Sequence, residues 1–139
     1  MSTAQPSTRE SGSDAPRATM AMITVDALDA TALAHWWARR FDTEAVDHSG
    51  GTGQFLAVTI PSAPTLGFQK VADPTPGKNR LHLDVTVPDR AAGVADLVAD
   101  GATVIAEHNL ADLGGADFAW TVLTDPEGNH FCVSDAAGS

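Results

Sequence analysis

The side chains best able to do chemistry in this chain come in two short runs, His82-Leu83-Asp84 and His130-Phe131-Cys132. Successive side chains of a β-strand point to opposite faces. An extended run over 80–87 therefore puts Arg80, His82, Asp84 and Thr86 on one face, with Leu81, Leu83, Val85 and Val87 inside. A second extended run over 130–135 sets His130, Cys132 and Ser134 against Phe131 and Val133. A strand with one apolar face and one face of ligand-type side chains suits the wall of a small-molecule cavity. The same pattern also describes an amphipathic hairpin with its polar face in water. An imidazole beside a thiol is the pairing of a cysteine nucleophile, although a lone cysteine in a core strand commonly serves as a small hydrophobe. Asp26 and Asp84 fall on the polar faces of strands. A carboxylate facing a semi-apolar cleft binds a cation or holds a raised pKa suited to proton transfer; pairing with Lys78 or Arg80 is the alternative. His82 and Asp84 are the candidates for catalysis.

The elements that position these residues follow from periodicity and punctuation. Residues 22–27 alternate as a strand, and Asp29 is a good N-cap for a helix over 31–41 with Leu33, Trp36, Trp37 and Phe41 near one stripe. Strands are expected over 44–48, 54–60 and 65–71, separated by Gly- and Pro-containing turns, and 73–78 (DPTPGK) reads as a linker. After the strand at 80–87, Asp89 caps a helix to about Asp100, stopped by Gly101. Strands over 102–107, 118–124 and 130–135 complete the pattern, the last two joined by an Asp125-Pro126-Glu127-Gly128 turn. An offset of 60 residues carries Asp29 onto Asp89 and the strand 22–27 onto 82–87. A βαβββ unit written twice explains this better than two unrelated halves, and clefts on such sheets are preferred ligand sites.

Composition narrows the partners. The 139 residues make one domain's worth of chain, and residues 1–20, rich in Ser, Thr, Pro and Ala, are expected to be a disordered tail. No secretory leader or membrane span is expected. Two of the eight basic and two of the eighteen acidic side chains lie in that tail (Arg9, Arg17, Glu10, Asp14), leaving six and sixteen for the rest. That balance argues against nucleic acid and anionic membranes and favours a cationic small molecule. The single cysteine allows no internal disulfide and fits a reducing cytoplasm. No phosphate-binding glycine loop or Cys-x-x-Cys pair is present, and there is no tyrosine to act as an acid. Trp120 and Phe118 share a strand face and could form an aromatic wall. His108, in the longest loop-like stretch, is expected either at a cavity mouth or exposed on a loop, and His35 and His48 are read as surface or packing residues.

Over about residues 22–135 the chain resembles the glyoxalase and bleomycin-resistance superfamily, also called the vicinal oxygen chelate superfamily. The resemblance rests on the repeat, on GKNRLHLDV (77–85) and on the DPEGN turn with the FCV that follows it. It implies an α+β fold of two tandem βαβββ modules, 22–72 and 79–136, in a glyoxalase-like domain over 21–137, forming a curved sheet with a concave ligand cleft. Homodimer formation is also implied. In metal-using members the four ligand positions correspond to Met22, Gln69, His82 and Cys132. His82 and Gln69 match the pattern; Met22 stands where His, Gln or Glu is usual, and Cys132 where Glu is usual. A methionine thioether is soft and neutral, unsuited to a hard divalent ion, and without the carboxylate at Cys132 the proton-moving base is missing. No resident cofactor is therefore expected, a divalent metal being the alternative. The expected function is small-molecule binding, in the manner of antibiotic sequestration, in a cleft with Gln69, His82, Asp84, Trp120, His130 and Cys132. The other reading is a metal-dependent lyase, isomerase or ring-cleaving dioxygenase.

Overall fold

The structure, a computed structural model, describes Arg17 and residues 20–136. The expected disordered tail lies outside the described residues, apart from Arg17 and Met20, which are exposed. The described chain is an α+β fold carrying two four-stranded sheets and two helices, and it divides into two compact units.

The first unit holds β1 (Met22–Ala27), α1 (Ala30–Arg40), β2 (Ala45–Asp47), β3 (Phe55–Val58) and β4 (Thr65–Lys70), with sheet order β1-β4-β3-β2. Leu33, Trp36 and Trp37 recur at helical spacing, so α1 buries one stripe and packs on β2 and β3. The antiparallel register sets Leu56 opposite Phe68 and Val58 opposite Leu66, all buried. On the other face Phe55 lies opposite Gln69, and the Met22 thioether fills the space beside Gly67, where an added Cβ would come within 2.6 Å of its sulfur.

The second unit holds β5 (Leu83–Val87), α2 (Arg90–Ala99), β6 (Thr103–Asn109), a 3₁₀ turn (Leu110–Leu113), β7 (Ala119–Thr124) and β8 (His130–Asp135). Its order, β5-β8-β7-β6, repeats that of the first sheet strand for strand, as the 60-residue offset requires. β5 and β8 run parallel, and the other neighbours antiparallel. The Asp89 side chain caps α2 by accepting from the Ala92 amide at 3.2 Å, and Gly101 leaves the helix at φ 106°. α2 packs over all four strands. Leu97, Leu123, Phe131 and Val133 are buried in this unit. Burying a side chain such as Phe131 or Leu123 stabilises by roughly 1.5–3 kcal/mol.

Two expectations need correction. Leu81 was expected inside and is 86% exposed, because the strand begins only at Leu83. Before it, Asn79 Nδ2 donates to the Leu81 carbonyl at 2.6 Å, holding the chain in a bend. His108 is not on a loop. β6 continues to Asn109, and a register shift between Val104 and Ala106 resets which side chains share a face. No helix among the described residues is long and apolar enough to cross a membrane.

Candidate functional site

A cavity of about 730 Å³ lies in the second unit. Its floor is the face of β7 and β8 that α2 does not cover. Val122 stands opposite Cys132, and Trp120 opposite Ser134, and all four line the cavity. Strand alternation turns Phe131, Val133, Thr121 and Leu123 the other way, into the core. The same hairpin therefore builds the core with one set of residues and the cavity with the next.

One side of the cavity is aromatic and apolar. The Phe118 and Trp120 rings lie 6.0 Å apart, and His108 is 5.5 Å from Trp120, its cross-strand partner. Leu110 and Leu113 of the 3₁₀ turn extend this wall. That turn is set by Asn109, whose side-chain carbonyl accepts from Ala111 and Phe118, and by Gly114 at φ 88°.

The other side is a polar cluster. Asp84 is the direct partner of Cys132 in the parallel β5–β8 ladder, and His82, just before the strand, lines the same cavity. His82 Nδ1 lies 3.2 Å from Asp84 Oδ1. The donor atoms of His82, Asp84 and Cys132 lie within 4.8 Å of one another. Burial, and next the charge and hydrogen bond of Asp84, push the Cys132 thiol up from its ordinary pKa, with Lys78 pulling the other way. An unliganded Cys132 is thus held as a neutral thiol, which weakens it as a nucleophile.

His130 completes the wall. Its backbone is fixed by Asn79, which accepts from the His130 amide at 2.7 Å and donates to its carbonyl at 3.0 Å. Its ring Nδ1 is shielded from solvent and has no hydrogen-bond partner among the described residues. The turn before it is held by buried Asp125, which accepts from the amides of Glu127 and Asn129 and from the Asn129 side chain. Glu127 in turn accepts from the amides of Leu28 and Asp29 at 2.8 and 2.9 Å.

Of the six cleft residues expected from sequence, His82, Asp84, Trp120, His130 and Cys132 all line this cavity. Gln69 is exposed on β4 of the first unit, on the face carrying Phe55. Asp26 is exposed on β1. Sequence reasoning missed Leu110, Leu113 and the positioning role of Asn79, since a loop reading of 108–117 left no face to assign. Two of the four positions that the family resemblance assigns to metal depart from its pattern. Met22 packs its sulfur against Gly67, and Cys132 replaces a carboxylate with a thiol.

Comparison with known proteins agrees with this architecture. The family model described as a glyoxalase-like domain matches residues 22–134. A glyoxalase/bleomycin resistance protein/dioxygenase family enzyme from Burkholderia phytofirmans PsJN is similar in structure, with a TM-score of 0.67 at 20% identity over 85% of this chain and 98% of that one. Lactoylglutathione lyase from Agrobacterium tumefaciens is similar at TM-score 0.60 and 16% identity, covering 87% of this chain and 96% of the other. A bleomycin resistance determinant encoded on the transposon Tn5 is similar at 0.58 and 13%, covering 86% and 99%. At these identities the likeness is one of fold. No curated protein sequence matches the chain.

Proposed function

Because the chain belongs to the glyoxalase-like domain family, we propose that it is a small-molecule-binding protein of that fold, using the cavity of its second unit. The observation that carries this reading is the pairing of a continuous aromatic wall, Phe118-Trp120-His108, with a polar cluster of His82, Asp84 and Cys132 across about 730 Å³. A cavity of that size suits a drug-sized ligand, bound by apolar walls and oriented by a few polar groups. The rings favour a flat ligand. Asp84 and the net charge of −10 favour a cationic one. His130 Nδ1, shielded and without a hydrogen-bond partner among the described residues, would gain from a ligand hydrogen bond. Sequestration of a flat, cationic antibiotic is a use this chemistry supports, and the fold is shared with a bleomycin resistance determinant.

The metal-dependent lyase, isomerase or dioxygenase is the weaker reading, because Met22 is committed to packing against Gly67. Pairing of two chains is part of the proposal: β2 and β6 each leave one sheet edge open, with Val46, Val104 and Ile105 exposed on them. The single thiol suits a reducing, cytoplasmic setting. A thermal-shift screen tests the binding reading, since a ligand of the native state raises the melting temperature by mass action. Flat cationic compounds should shift it in the presence of a chelator. A shift requiring metal together with a thiol adduct or a catechol would favour the enzyme.

A further inference from the structure

The charges that line the cavity do not follow those of the chain. Outside residues 1–20, sixteen acidic side chains face six basic ones, and a site built for a plain cation would share that excess of acid. Around the cavity the balance is even: among the described residues that line it, Asp84 is the one carboxylate and Lys78 the one ammonium. We infer that the cavity selects a flat zwitterion, whose cationic end faces Asp84 and whose carboxylate is taken by Lys78. The inference rests on the ligand-binding reading of the same cavity and adds the second charge of the ligand.

The position of Lys78 is built into the chain. Its neighbour Asn79 uses both ends of its amide on the start of β8, accepting from the His130 N–H at 2.7 Å and donating to the His130 carbonyl at 3.0 Å. The same amide donates to the Leu81 carbonyl at 2.6 Å. Those three bonds hold the backbone beside Lys78 against the end of β8 that carries His130. The flexible lysine stem then leaves the ammonium able to follow a ligand. That ammonium takes no hydrogen bond or ion pair among the described residues, whereas Asp84 holds the His82 ring. Both charges act on the Cys132 thiol, Asp84 raising its pKa and Lys78 lowering it. They therefore address one region of the cavity.

Two fields give opposite expectations for such a ligand. The net charge of −10 attracts a cation from a distance, and a carboxylate added to that cation weakens the attraction. Exposed charges farther away than about 8 Å are largely screened at physiological salt, so contact with Lys78 outweighs the distant acids. Lys78 is itself exposed. The gain is therefore that of a partly screened pair, about fivefold in affinity.

Fluorescence anisotropy with two rhodamines tests this on the full-length chain. One is a rhodamine methyl ester, a flat cation; the other is its parent free acid, in which the same ring system also carries a carboxylate. At physiological salt the free acid should bind about fivefold more tightly than the ester. Lys78→Met should bring the two affinities together or reverse their order, and Lys78→Arg should keep the preference. The ratio is read within each variant, so a general loss of stability does not imitate the effect. Equal binding of the two dyes by the wild-type chain, or tighter binding of the ester, would overturn the inference and leave the cavity reading in place. A preference that survives Lys78→Met would overturn it as well. Binding of neither dye would count against this inference and the reading beneath it together.

Discussion

Asp84 stands directly opposite Cys132 in the parallel ladder of β5 and β8, and it holds the His82 ring at 3.2 Å. One register thus gathers an acid, an imidazole and a thiol on the cavity side, while Val85 and Val133, the next pair along, turn inward. A slip of one residue would exchange the two sets.

Asp84 is the carboxylate of this cluster, and its charge should set ligand preference. Asp84→Asn should cost a cationic cavity ligand about tenfold in affinity, about 1.4 kcal/mol, and a neutral compound of the same shape far less. Paired calorimetric titrations of the two compounds check this. Equal losses for both would mean that shape, not charge, is what Asp84 supplies.

The Asp125 side chain organises the turn that leads into β8. Asp125→Ala would leave the amides of Glu127 and Asn129 without their acceptor in a buried setting. A loss of about 1–3 kcal/mol is expected, measurable by urea denaturation at pH 7. The same variant should loosen cavity binding, because His130 follows that turn directly.

A pH effect is localised to the loop after β2. Asp47 accepts from the hydroxyl and then the amide of Ser49 and from the Gly53 amide, which lowers its pKa to about 2. A carboxyl lowered in the folded state stabilises above its unfolded pKa, and the contribution fades as pH falls through the folded value. Amide signals of Ser49 and Gly53 should therefore titrate together near pH 2 in NMR spectra. Titration of those amides near pH 4 would show that the hydrogen bonds do not hold in solution.

Pairing of chains through open sheet edges predicts a sedimenting mass twice the 14.4 kDa of one chain. Analytical ultracentrifugation across a wide concentration range reads this directly. A single-chain mass throughout would remove dimerisation from the account.

Alternation alone placed Phe131, Val133, Cys132 and His130 correctly, because an uninterrupted strand has only two faces. The cap at Asp89 and the stop at Gly101 were equally legible, each resting on local backbone chemistry. What escaped was non-local. The shift between Val104 and Ala106 depends on how β6 meets β7, so His108 read as a loop residue when it is the partner of Trp120. Leu81 read as core because alternation continues through it, yet Asn79 bends the chain there by gripping both Leu81 and His130. The adjacency of Asp84 and Cys132 was hidden as well, since nothing in either strand specifies the register between them.

We propose that the second unit's cavity binds a flat, cationic small molecule without help from a metal. Isothermal titration of the chelator-stripped chain against hits from a cationic-aromatic panel tests it most directly, with Trp120→Ala in parallel. Saturable binding near one ligand per chain is expected, unchanged by chelator and weakened at least about tenfold in Trp120→Ala. Binding that needs added metal, or that Trp120→Ala leaves untouched, would contradict it.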